Sequence, residues 1–468
     1  MLQKNNIFTY ISYQMNFKRH IYSTLVAWKS NKNRKPLIVR GARQVGKTTL
    51  INEFAGTYSH QIKLNLERVK DIGYFTEFSD AKTLVEALFL THNISTKDTA
   101  RTLLFIDEIQ ESPQAIAMLR YFYEDVPELQ VIAAGSLLEQ VMHKVKNFPV
   151  GRVEYVYLHP LNFPEYVEAK QHWGALEALN KLPVEPQAIP ILKELFHEYA
   201  IIGGMPEIVK NYLLNTESLA DLPPAYESIW ATYKEDVEKY AQNATDARVI
   251  KHIMHTAHLY LDQRIKFQNF GNSNYKSREV GEAMRNLNDA RIIQLIYPAT
   301  GTTPPIKADI KKSPRLQFLD TGLVNYELNI QADMLAMDDF NTAYKGAVIP
   351  HLITQELISL STINYKKPNF WVREKAQASS EVDLIVAHKD KVIPIEIKSG
   401  KEGKLKSLHQ FMDQANHPYA IRMYAGGFKV EQHQTAIKKT PYLLMNLPYF
   451  LGTRLPEYID YFTVNYKL

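Results

Sequence analysis

The chain has 468 residues, of which 45% are hydrophobic, 22% charged and 11% aromatic, with no cysteine. This excludes a single compact core, disorder, disulfides, thiolate nucleophiles and cysteine-based zinc or iron–sulfur sites. Its 55 Lys and Arg against 50 Asp and Glu leave a formal charge of +5, too little over so large a surface to imply a polyanionic partner by itself.

The segment Asn5 to Phe17 is uncharged but lacks a small-residue cleavage site and does not read as a signal peptide, Met15 being an alternative start. No stretch reaches the ~18 uncharged apolar residues of a membrane span; the longest approach, Thr440 to Thr453, is broken by Pro441 and Pro448. No membrane partner is expected, and a chain without cysteine is at ease in a reducing compartment, the cytoplasm by default.

From Pro36 onward, short β-rich runs at Leu37 to Arg40, Ile62 to Leu66, Leu103 to Ile106, Val131 to Ala134 and Val153 to Leu158 alternate with helical stretches. That rhythm predicts a parallel α/β sheet, with a boundary near residue 165. Residues 166–245 read as a helical connector containing the Pro-bearing stretch Leu182 to Pro190. Over 246–335 the order is a helix (Asp246 to Leu261), a helix (Ser277 to Asp289), then β-like runs Arg291 to Tyr297 and Arg315 to Leu319 around a turn-rich linker. Helix, helix, β-ribbon is the order of a winged helix-turn-helix. Over 336–468 a helix (Val348 to Ser361), strands at Asn369 to Arg373, Val382 to Ala387 and Val392 to Ile397, and a helix near Leu405 to Ala415 predict a second α/β domain. The fold class expected is therefore α/β and multidomain.

The run Gly41-Ala42-Arg43-Gln44-Val45-Gly46-Lys47-Thr48, followed by Thr49, fits the P-loop, or Walker A, pattern residue for residue. It stands after a predicted strand and before a predicted helix, where backbone N–H groups and the helix N-terminus can face phosphate. Lys47 would reach the β- and γ-phosphates, and Thr48 would ligate Mg²⁺. A second apolar strand ends in Asp107-Glu108. Asp107 would hold Mg²⁺ through water, and Glu108 would orient or deprotonate the attacking water. A third strand ends in Gly135-Ser136, so Ser136 is either a γ-phosphate contact, a helix cap, or both. Arg152 reads as an arginine finger, in cis or from a neighbouring subunit, or as a surface arginine.

With Arg40 to Thr49, Phe105 to Gln110, Gly135-Ser136, Gly151-Arg152 and Leu158 to Phe163, the chain resembles the prokaryotic AAA-type ATPases, most closely those with a C-terminal domain of unknown function. The resemblance extends over Gly203 to Pro206, Asp236 and Leu319 to Leu323; Ala134 stands where the family usually has Thr before Gly-Ser. It implies ATP, since no guanine-reading Asn-Lys-x-Asp motif occurs, and allows a homo-oligomer, because AAA modules often form rings.

In the last segment Asp383 precedes a hairpin whose second strand carries Glu396-Ile397-Lys398. Period two puts Glu396 and Lys398 on one face, and the hairpin brings Asp383 beside them. Glu356 falls among Leu352, Ile353, Leu357 and Leu360 on the apolar face of its helix, so it needs a cation or a lysine nearby, which a metal site at Asp383, Glu396 and Lys398 would supply. This arrangement is similar to the PD-(D/E)XK nucleases, which implies Glu356, Asp383 and Glu396 as metal ligands, Lys398 as catalytic and Gln410 beside them. The same residue types also suit a solvent-facing strand, and some such folds do not cut.

Lys276, Arg278 and Arg285 on the second helix, with Lys307, Lys311, Lys312 and Arg315 on the ribbon, form one basic cluster, and Lys398, Lys401, Lys404 and Lys406 another. Both suit phosphate contacts, with DNA the expected nucleic acid. The expectation is an ATP-binding and ATP-hydrolysing protein acting on DNA through a winged helix and a nuclease-like domain. The alternative is a nucleotide-dependent switch or scaffold whose last domain only binds a partner.

Overall fold

A computed structural model describes residues 16–136, 148–241, 243–337, 340, 343–375, 378–398 and 405–468. They form two compact units. The first runs up to Pro160 and adds Asp289–Ile292 and Ser361–Tyr365; the second takes Leu161–Asn288, Ile293–Leu360 and Lys366–Leu468.

The first unit is built on five parallel strands, β1 (Leu37–Arg40), β2 (His60–Asn65), β3 (Thr102–Asp107), β4 (Gln130–Gly135) and β5 (Glu154–Tyr157), in the order β2-β3-β4-β1-β5. Every residue of β1, β3 and β4 is buried, whereas edge strand β2 alternates, with Ile62 and Leu64 in and Gln61 and Lys63 out. Uninterrupted apolar runs suit strands covered on both faces, and alternation suits the edge. Leu84, Leu88 and Phe89 of the helix Ala81–Thr91 and Ile116, Leu119 and Phe122 of Pro113–Asp125 pack with Ile38, Leu104, Ile106 and Val131. Each such side chain contributes about 1.5–3 kcal/mol by burial. The chain moves outward from β1 to β2, returns through β3 and β4, then crosses to β5. That reversal leaves a crevice at the C-terminal ends of the strands beside β1, where α/β sheets take ligands.

The second unit begins with helices, among them Phe163–Ala169, Ile189–Ile202, Pro206–Leu214 and Pro223–Glu235. The helices Ala244–Thr256 and Ser277–Asp289 precede β6 (Ile293–Ile296), β7 (Pro298–Ala299) and β8 (Arg315–Phe318). After the helix Val348–Ser359 come β9 (Asn369–Lys375), β10 (Ala378–His388), β11 (Lys391–Ile397), β12 (Tyr419–Tyr424), β13 (Lys429–Gln434) and β14 (Pro441–Pro448). β6 and β8 form an antiparallel ribbon, and the others a mixed seven-stranded sheet, β13-β14-β12-β11-β10-β9-β7. Trp371, Val382, Ile385 and Val392 of this sheet pack against Leu408, Phe411 and Met412 of the helix Lys406–Met412.

Apart from 289–292 and 361–365, the segments 166–245, 246–335 and 336–468, expected as separate domains, lie in this one unit. Particular bonds tie them together. β7 pairs in parallel with β9, Arg315 donates to the Asp383 carbonyl at 3.1 Å, and Phe163 N donates to Glu356 at 3.1 Å. Asp320 accepts from Gly204 N at 2.7 Å while capping the helix Thr321–Glu327. The backbones meet closely there: a Cβ on Gly322 would stand 1.9 Å from the Ile202 carbonyl oxygen, so only glycine fits. Among the described residues no helix is long and apolar enough to cross a membrane.

Candidate nucleotide site

At the end of β1 the loop Gly41 to Gly46 turns into the helix Lys47–Ala55. A Cβ on Gly41 would lie 2.4 Å from the Leu158 carbonyl oxygen, and Gly46, the helix N-cap, has φ +94°. Glycine is required by contact at the first position and by conformation at the second. Ala42 and Val45 are buried and Thr49 is exposed; Arg43 lies 3.7 Å from Glu67, and Gln44 adopts φ +61°. Buried Arg19 donates to the Val45 carbonyl at 3.2 Å and the His159 carbonyl at 2.5 Å, bracing the loop.

Lys47 is buried, its Nζ donating to the carbonyls of Gly41 (3.0 Å) and Ala42 (2.8 Å). Burial pulls its ammonium down to about 8, opposed by the carboxylates of Glu108 and Asp107. The Thr48 hydroxyl donates to Asp107 Oδ2 at 2.9 Å. Burial raises the Asp107 carboxyl, and the Thr48 bond partly offsets this. Glu108 stands at φ +52°, an uncommon conformation for a side chain of its size, and accepts from Gln110 Nε2 at 2.6 Å. Ser136 is buried just past β4, whose last residue, Gly135, is in register with Arg40 before the loop. Its Oγ has no hydrogen-bond partner among the described residues.

Gly41 to Thr48, Asp107, Glu108 and Ser136 thus gather at the C-terminal edge of the sheet. Arg152 does not. It precedes β5, whose first residue pairs with Leu37 at the start of β1, so roughly 10 Å of strand separates it from the loop of its own chain. There it pairs with Glu124 at 2.8 Å, 45% exposed. An arginine finger in cis is incompatible with that placement.

In the second unit Asp383 Oδ2 accepts from Ile397 N at 2.8 Å, and Glu396 Oε1 from Lys398 Nζ at 2.6 Å. Glu396 is 6% exposed and its Oε2 is buried without a hydrogen-bond partner among the described residues; burial first, then Asp383, raises its carboxyl. Gln410 accepts from Ser380 Oγ at 2.8 Å. Glu356 does not join this group. Its helix is buried nearly all round, and its carboxyl accepts from Phe163 N and from Tyr199 Oη at 2.8 Å, capping the helix Phe163–Ala169. Instead of the metal or lysine expected beside it, this buried glutamate meets an amide and a phenol. Among the described residues no three His, Asp or Glu are placed to hold a metal ion.

Arg315, expected on a basic surface, is 4% exposed and donates to Glu381. It lies 3.6 Å from Asp262 and 3.9 Å from the Asp383 carboxylate, over the Phe370 ring at 4.6 Å. Burial opposes its charge, and the three carboxylates more than offset that. Lys312 pairs with Glu374, while Lys276, Arg285, Lys307 and Lys311 are exposed, as is Arg278, which pairs with Glu282. Lys401 and Lys404 lie outside the described residues. Arg19 was missed as a site residue because only long-range bonds bring it to the loop, whereas Gln110, two residues from its partner Glu108, was within local reach.

The first unit, with its parallel sheet, phosphate loop and paired Thr48 and Asp107, is a P-loop ATPase domain. Residues 33–167 match the family model described as an AAA domain. Residues 193–334 match a domain of unknown function, DUF8612, and 345–443 another, DUF4143. Among solved structures, a Walker-type ATPase of Pyrococcus abyssi is 15% identical with TM-score 0.44, over 67% of this chain and 96% of that one. The Hsp104–ADP complex of S. cerevisiae is 13% identical with TM-score 0.26, over 57% and 37%. A signal-transduction ATPase with a tetratricopeptide repeat sensor from Pyrococcus horikoshii is 11% identical with TM-score 0.27, over 72% and 47%. No curated protein matches the chain.

Proposed function

We propose that the chain binds ATP with Mg²⁺, hydrolyses it, and uses the cycle to act on DNA. The observation that carries the first part is the Thr48–Asp107 bond beside Lys47: two oxygen ligands and a buried ammonium suit a hard cation and a polyphosphate. Bound Mg²⁺ would neutralise phosphate charge. Gly41 to Thr49 hold the nucleotide, Glu108 directs the attacking water, and Ser136 meets the γ-phosphate or the water. Arg152, remote from its own chain's loop, serves the site of a second copy in a homo-oligomer. The helix Ser277–Asp289 and the β6–β8 ribbon are read as a winged helix, and Lys276, Arg278 and Arg285 as its phosphate contacts. Asp383, Glu396 and Lys398 are read as the nuclease-like site, and the cytoplasm as the location.

ATP turnover by the whole chain, with and without single-stranded, double-stranded and branched DNA, tests this. Turnover that rises with DNA and is lost in Lys47→Ala supports it. Turnover indifferent to every DNA removes the DNA part.

A second reading is favoured by Arg315. A guanidinium already pairs with Asp262, Glu381 and Asp383 where a metal would stand, so on this reading the C-terminal fold binds a partner and cuts nothing. Cleavage with Mg²⁺ or Mn²⁺ that disappears in Lys398→Ala would sink this second reading. Absence of cleavage, with no Mn²⁺ bound in calorimetry, favours it.

A further inference from the structure

Asp262, Glu381 and Asp383 are brought together in the second unit by one guanidinium. Arg315 donates to Glu381, and its terminal nitrogens lie 3.6 Å from Asp262 Oδ1 and 3.9 Å from Asp383 Oδ1. The backbone keeps this cation in place, because β8 is held along both edges. Arg315 is in register with Ile296 of β6 and also bridges Arg264, beside which Leu316 N donates to the Gln263 carbonyl at 2.9 Å and Asp262 N to the Leu316 carbonyl at 2.8 Å. Asp262 is fixed in turn by Gln317, which donates to it and also meets His351. Next to this group, Arg264 and Lys312 both pair with Glu374 of β9. Positive groups around the ribbon therefore turn inward, onto β9 and β10.

β10 and β11 pair with Leu384 opposite Ile395, which sets Asp383 beside Glu396 on the neighbouring strand. Two carboxylates so placed repel each other unless positive charge stands with them. In the nucleases that this hairpin resembles, a divalent metal supplies that charge. Here Arg315 stands by Asp383, and Lys398 Nζ donates to Glu396 at 2.6 Å. Asp383 Oδ2 already accepts from Ile397 N, and Glu356 from Phe163 N and Tyr199. A dication beside a fixed guanidinium is repelled by it, and these oxygens fall short of the ~6 ligands a hard dication takes. The residues present do not fit a divalent metal.

Resting on the reading in which the C-terminal fold cuts nothing, we propose that Arg315 is a built-in counter-ion. It takes the place of the metal, so that the carboxylate cluster becomes a divalent-cation site only when the guanidinium is removed. The charge that the cluster needs is thus written into β8, 68 residues before Asp383. Without it, three acidic side chains face one vacated point, and a free dication is the simplest replacement.

The test is Mn²⁺ titration of the full chain by calorimetry, with melting temperatures, comparing Arg315 with Arg315→Ala, Arg315→Gln and Arg315→Lys. All are made in an Asp107→Asn background to exclude the nucleotide site. Without metal the Ala and Gln variants should melt lower, their carboxylates having lost their partner. They should bind Mn²⁺ at least about 10-fold more tightly than the chain with Arg315, since even in water's dielectric a cation about 4 Å away repels a dication by that much. Mn²⁺ should then restore part of the melting temperature. Arg315→Lys, which keeps the charge, should gain no Mn²⁺. Should the Ala and Gln variants fail to fold with and without Mn²⁺, the double variant Arg315→Gln with Glu381→Gln decides. Recovered folding, one charge of each sign having gone, supports the counter-ion, and no recovery overturns it. Equally weak Mn²⁺ binding with and without Arg315 overturns the proposal and leaves the reading without cleavage standing. Tight Mn²⁺ binding by the chain that retains Arg315 overturns both.

Discussion

Thr48 and Asp107, 59 residues apart in the chain, share a 2.9 Å hydrogen bond between the start of the loop helix and the end of β3. The bond joins the two halves of a cation site. Asp107→Asn should raise the Mg²⁺ concentration needed for turnover and lower the maximal rate by about 10²-fold, while metal-free nucleotide binding changes little. A Mg²⁺ titration of steady-state hydrolysis measures both. An unaltered midpoint would separate Asp107 from the metal.

Glu108 is held at positive φ and anchored by Gln110, an arrangement that aims a carboxylate at the cost of backbone strain. Glu108→Gln should bind ATP with near wild-type affinity and lose at least about 10²-fold in turnover. Paired binding and single-turnover measurements test this, and equal losses in both would place Glu108 in binding instead.

The buried Lys47 ammonium titrates at about 8 against an ordinary 10.5. Phosphate restores its charge, so nucleotide binding above pH 8 must take up a proton. Affinity should therefore hold steady below about pH 8 and fall as pH rises beyond it, by as much as about tenfold per unit. Calorimetry in buffers of different ionisation enthalpy measures the uptake directly, and a null uptake at pH 9 contradicts the assignment.

Burial raises the Glu356 carboxyl from 4.5 to about 8. Between these values the folded state retains a proton that the unfolded chain has released, so stability is fullest below about pH 4.5 and declines as pH rises through 8. The contribution is on the order of a few kcal/mol. Asp320, raised to about 6 by burial, acts in the same direction. Glu356→Gln should therefore flatten, without abolishing, the fall in denaturation midpoint between pH 5 and 8. An identical slope in both proteins would show that Glu356 is ionised when folded.

What could be read from residues alone was what depends on local order. The phosphate loop announces itself because its glycines and lysine must be contiguous, and β1, β3 and β4 because strands covered on both faces read as unbroken apolar runs. The need of Glu356 for a partner was legible from its apolar helix face, but the identity of that partner was not, since Tyr199 lies 157 residues away. Arg315 misled for the opposite reason. An arginine on a predicted ribbon edge looks solvated, and only the approach of Asp262, Glu381 and Asp383 turns it into a buried cation. Arg152 was ambiguous until the parallel register set it at the far end of the sheet.

The two-residue strand Pro298–Ala299, paired with Phe370 and Trp371, bears on how the chain can be divided. A fragment starting at residue 336 would lose this partner and leave the margin of β9 open, with unpaired amides and carbonyls flanking two large aromatic rings. Such a margin is a template for intermolecular strand pairing. The C-terminal fragment should therefore aggregate when expressed from 336 and stay dispersed only when its starting point lies upstream of Pro298.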